Sequence, residues 1–140
     1  MRAHVLTLAL ALLPAGAAAA EPTVKATPTP AVSRRDLLTA AIAPELPVGR
    51  VEVKEVTLPP RQRSPLHLHP CAVVGLVTAG EIAYQLEGQP VRHLRIGDAF
   101  YEPAGARVAR FDAEGETEAR FTAFYLLGKD EHELIRLLSQ

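Results

Sequence analysis

Cysteine is nearly absent from this chain. Cys71 is the only one, so no internal disulfide can form and stability has to come from packing. Neither sign of charge is in excess: 15 Lys and Arg stand against 16 Asp and Glu, a net charge of −1. That balance offers no basic footprint for nucleic acid or for an anionic membrane surface. The apolar run Val5–Leu13 falls short of the ~20 residues that cross a bilayer, so no stable membrane anchor is expected. Several chemical signatures are also missing. There is no Ser-His-Asp set at recognisable spacing, no phosphate loop, no Cys-x-x-Cys and no repeat.

What is present begins with a leader-like segment. Arg2, the apolar run, Pro14 and the small residues Ala18-Ala19-Ala20 follow the three-part layout of a secretory signal, with cleavage expected after Ala20 and export to the periplasm or beyond. No cysteine follows the small residues, so a lipoprotein anchor is not indicated. SRRDLLTAAIA at Ser33–Ala43 has a twin-arginine look, but it sits behind a complete signal and Pro44 and Pro47 break any apolar run after it. Residues 21–48 read as a Pro/Thr-rich linker and lead-in. Residues 49–128 read as one domain with one core.

From Gly49 the texture is short strands with turns between them. VEVKEVTL, PLHLH, AVVGLVT, EIAYQLEG, VRHLRI, AFYE, RVARF and RFTAFYLL are separated by AGE, EGQP, IGD, PAG and AEGE. Regular short strands with such punctuation predict an all-β sandwich or barrel. Ile82, Tyr84 and Leu86 alternate onto one strand face, as do Phe121, Ala123 and Tyr125. In Val51–Leu58 the apolar parity shifts between Val53 and Val56, which predicts a bulge. In residues 129–140 the spacing of Leu134, Ile135, Leu137 and Leu138 predicts a short amphipathic C-terminal helix.

His67 and His69 stand two apart in SPLHLHPCAVVGLVTAG. On a strand such residues share a face about 7 Å apart, close enough for both rings to reach one ion. Imidazole suits Zn, Fe, Mn, Ni or Cu. Taken alone, a His-x-His pair is a common chance occurrence.

The wider context resembles the two motifs of the cupin superfamily. The first motif of those proteins is His-x-His, three or four residues, Glu, six residues, Gly, which His67, His69 and Gly80 match. The second is Gly, five residues, Pro-x-Gly, two residues, His, which Gly97, Pro103 and Gly105 match. The likeness to small exported single-domain cupins runs from about Arg34 onwards. It implies a small antiparallel jelly-roll β-barrel with a metal site at its mouth, and a homodimer. Two family ligand positions depart from the pattern: the Glu position is Val73 and the second-motif His position is Val108. Glu102, beside Pro103, and Cys71, two residues after His69, are the candidates to replace them.

Other polar residues have possible ligand-binding roles. Tyr84 or Gln85 must face the interior, and Tyr84 shares its parity with core residues. Arg107 and Arg110, with Arg61 and Arg63, form a candidate basic rim for a carboxylate or phosphate. His93 is expected to face solvent. Three functions fit. The favoured one is a small-molecule-binding barrel with a partial divalent-metal site, since a pocket tolerates Val73 and Val108 better than a tightly held ion does. The second is a metal-dependent enzyme of oxygenase or isomerase type on a small organic substrate. The third is an assembly protein that pairs through sheet edges without a ligand.

Overall fold

A computed structural model describes residues 32–42, 45 and 47–139. The expected signal segment with its cleavage point, and residues 21–31 of the linker, lie outside the described residues. One compact unit spans Arg34–Gln140.

Its strands, in chain order, are β1 (Arg50–Leu58), β2 (His67–Leu68), β3 (Ala72–Ala79), β4 (Glu81–Leu86), β5 (Arg92–Arg95), β6 (Ala99–Glu102), β7 (Arg107–Glu114), β8 (Ala119–Leu127) and β9 (Arg136–Leu137). They form two antiparallel sheets, ordered β1-β8-β3-β6 and β5-β4-β7-β2-β9. The all-β architecture expected from the strand and turn pattern is therefore what the chain adopts.

The core lies between the sheets and follows from strict alternation. In β8, Ala119, Phe121, Ala123, Tyr125 and Leu127 are buried while the residues between them are not. Phe100, Phe111 and Phe121 pack edge-on or tilted against one another, with centroids 4.9–5.7 Å apart. Such pairs add to plain burial. Phe100 can lie there only because its cross-strand partner is Gly75: a Cβ at that position would come within 2.0 Å of the ring. Gly80, at φ +68, makes the β3–β4 turn, and a side chain there would meet the Glu118 carbonyl at 2.6 Å.

Two local expectations are corrected. The pairing of β1 with β8 is continuous from Arg50↔Leu127 to Leu58↔Ala119, with no bulge. The parity shift has another cause: Val51 and Val53 lie exposed on the outer face, whereas Val56 and Leu58 face the core. On the inward parity the strand carries Glu52 at the sheet end, paired with Arg50 and Lys54. The second correction concerns the helix expected over residues 129–140: the described residues 129–139 form none. Glu131 accepts the backbone N–H groups of His132 and Glu133 at 2.8 Å, and the chain then extends into β9. There Arg136 and Leu137 pair with Leu68 and His67. A 12-residue helix is marginal by itself, and the same backbone gains more by completing a sheet edge.

Candidate metal centre

Two strands from different sheets bring the donors together. His67 lies on β2, between Val108 of β7 and Leu137 of β9. His69 follows it, its carbonyl accepting the Gly105 N–H at 2.7 Å, so the Pro-x-Gly turn anchors the histidine segment. Glu102 ends β6 and stands directly across the ladder from Val73. One ligand atom from each of His67, His69 and Glu102 lies within 4.8 Å of the other two, and all three residues are buried.

Backbone carbonyls orient both rings. His67 Nδ1 meets the Pro65 carbonyl at 2.8 Å, and His69 Nδ1 meets that of Leu134. A carbonyl only accepts, so each Nδ1 carries a proton, which leaves Nε2 as the nitrogen of each ring that a metal could take. The rings stand nearly perpendicular, 5.3 Å apart. His69 Nε2 also lies 3.1 Å from Glu102 Oε2, while Glu102 Oε1 is buried without a partner. Burial pushes the His69 pKa down, but the hydrogen bond and charge of Glu102, with the Leu134 carbonyl, outweigh it and hold the pKa above the ordinary value.

The donor set fits a divalent ion. A buried carboxylate is costly unless its oxygens are satisfied, and here one oxygen is not. An ion held by the Glu102 carboxylate and the two imidazoles would suit these donors, whose chemistry is that of first-row divalent metals. The ladder also explains the two family positions that lack donors. Val73 is the cross-strand neighbour of Glu102, and Val108 is that of His67, so the carboxylate enters the same corner from the opposite strand.

Cys71 is not brought into this group. β2 ends at Leu68, and the chain bends at Pro70 and Cys71 across to β3 in the other sheet, so strand parity does not carry over. The thiol lies instead near Pro47, Leu126 and Glu131, and burial pushes its pKa up, away from the thiolate that binds metal. Tyr84 is a core residue: it packs on Phe100 and Phe111, and its hydroxyl donates to the Tyr101 carbonyl at 2.7 Å. The Gln85 amide donates to the Gln89 carbonyl. Arg107 pairs with Glu87 and Arg110 with Asp112, and neither is among the described residues that line the cavity beside the histidines. His93 is exposed and meets Glu114.

A cavity of about 150 Å³ adjoins the donors, walled by Val56, Leu58, Phe100, Phe111, Phe121 and Tyr125. Ile135, from the C-terminal segment, also lines it. The alternation of β8 hinted at Phe121 and Tyr125. No sequence signal marked Ile135 or the Leu134 carbonyl, because the helical spacing there pointed elsewhere.

The family model described as Cupin domain matches residues 54–125. Among solved structures, an oxalate oxidase in complex with the substrate analogue glycolate is 25% identical, with a TM-score of 0.54, over 63% of this chain and 46% of that one. The DMSP lyase DddQ from Ruegeria pomeroyi DSS-3 is 22% identical with a TM-score of 0.54, over 62% and 42%, a likeness of fold alone. A cupin-like protein from Thermotoga maritima is 25% identical with a TM-score of 0.50, over 63% and 64%. This chain thus spans less than half the length of the oxalate oxidase and of the lyase. No curated protein matches.

Proposed function

The chain belongs to the cupin domain family, and from that premise we propose that it is an exported small-molecule-binding barrel centred on a divalent transition metal held by His67, His69 and Glu102. The observation that carries this reading is the buried Glu102, whose Oε1 has no partner, beside two imidazoles with Nδ1 already committed. When bound, the ion supplies Lewis-acid polarisation of an oxygen on the bound molecule. The protein's own part is to set the two tautomers through the Pro65 and Leu134 carbonyls and to exclude water with aromatic walls. The cavity matches in size one that holds benzene, about 150 Å³. Zn, Fe, Mn, Ni and Cu all suit the donors.

A second function, turnover of the bound molecule by oxygenase or isomerase chemistry, is favoured by one feature of the donor set. Two histidines and one carboxylate leave coordination positions open, as in non-haem iron oxygenases. Export rests on the leader layout, and N-terminal sequencing of the mature protein tests it: a start at Glu21 is expected. Homodimerisation is the other proposal that follows from the family. Val51, Val53 and Phe124 support it, being exposed on one outer face with Val53 opposite Phe124.

Elemental analysis after metal-free purification and reloading tests the central reading. About one ion per chain is expected in the wild type, and little in Glu102→Ala or in His67→Ala/His69→Ala. Equal metal in all three proteins would overturn it.

A further inference from the structure

We infer that this site selects small apolar monoanions, typified by a short-chain monocarboxylate, and discriminates against dicarboxylates; the inference rests on the metal centre proposed above. The argument is a count of charge around the cavity. A divalent ion, two neutral imidazoles and one carboxylate sum to a single positive charge, and the ion's own charge dominates so small a site. One carboxylate from the ligand would bring the centre to neutrality, the state that a buried, weakly polarisable site favours.

Neither Lys nor Arg is among the described residues lining the cavity, and the arginines expected nearby are engaged elsewhere, Arg107 with Glu87 and Arg110 with Asp112. The lining Ser64 hydroxyl is already spent on the Phe111 carbonyl at 2.8 Å. Tyr125, which also lines the cavity, is a phenol and supplies no positive charge. Away from the donors the walls are Phe100, Phe111, Phe121 and Leu58. A second carboxylate would be desolvated against those rings without a partner, whereas a hydrocarbon tail would be well placed there. The volume of about 150 Å³ limits that tail to about four to six carbons.

Valerate and glutarate isolate the effect, since both are five-carbon acids that differ by one terminal carboxylate. The full chain, loaded with cobalt(II) for its visible spectrum, is titrated with valerate, glutarate and the neutral valeramide. Valerate is expected to perturb the cobalt bands and to bind at least about tenfold more tightly than either competitor, the uncompensated second charge and the missing first charge each costing affinity. Metal-free protein should not bind it. Val56→Arg and Leu58→Arg each place a cation in the wall, and the valerate-to-glutarate ratio should fall in whichever of them loads cobalt. Glutarate binding as tightly as valerate, valerate binding equally well without metal, or arginine variants with an unchanged ratio would overturn the inference. If the wild type retains no cobalt, the metal centre itself fails and this inference falls with it. If cobalt is retained without discrimination, only the inference falls.

Discussion

Val73 and Glu102 face each other on one rung of the β3–β6 ladder, and that rung decides whether the site has three donors or two. Glu102→Gln keeps the shape and removes the charge. As a direct ligand it should cost more than the roughly 10–100-fold typical of outer-shell changes, read as the metal dissociation constant by competition with a chelating dye. The His69 proton gives a pH signature. Its pKa is raised in the fold above the ordinary 6.5, so in metal-free protein the His69–Glu102 pair contributes stability that is fully present below 6.5 and is lost as pH rises through the higher folded value. Melting temperatures of metal-free protein should therefore fall across that window relative to Glu102→Gln, which lacks the pair. Metal binding must displace the same proton, so affinity should rise with pH over the same range. Gly75 is the other decisive residue. Gly75→Ala forces Phe100 to move, since its ring atoms lie 2.0–2.7 Å from the new Cβ. An overpacking cost of about 1–3 kcal/mol is expected from denaturant midpoints.

Among the elements, the segment after Gly128 has an influence out of proportion to its length. β9 pairs with β2, the Leu138 N–H donates to the Leu66 carbonyl at 2.9 Å, the Leu134 carbonyl orients His69, and Ile135 lines the cavity. Truncation after Asp130 removes all four contacts and leaves β1–β8 intact. Metal affinity should drop by roughly 10–100-fold, the usual effect of losing an orienting partner, while far-ultraviolet circular dichroism keeps its β-type spectrum. Retention of full affinity would show that His69 needs no such support. The alternation in β8 and the turn residues were legible in the sequence because each depends on neighbours along the chain. The strand at Arg136–Leu137 was not, because an apolar spacing of three and four suits a helix until a free sheet edge competes for the same backbone.

For the molecule as a whole, the outer face of the β1-β8-β3-β6 sheet carries the exposed side chains of Val51, Val53 and Phe124. A proposed homodimer would cover them. Light scattering should give twice the chain mass for the wild type, and Phe124→Glu should shift the equilibrium towards monomer, because a buried unpaired carboxylate at such an interface is strongly unfavourable. A wild-type monomer at micromolar concentration would remove the proposal.

The sequence by itself determined the class of fold, the placing of most turns, and the pairing of His67 with His69 on one side of the chain. These are properties of short-range periodicity and of residues that tolerate tight backbone. Only the tertiary structure decided which carboxylate joins the histidines, that Cys71 stands apart, that Arg107 and Arg110 are occupied elsewhere, and that the last residues complete a sheet. Each of those depends on the register between strands distant in sequence, such as Val73 opposite Glu102 and His67 opposite Leu137. Cross-strand register is a contest between whole faces for burial, and no single stretch of the chain contains its outcome.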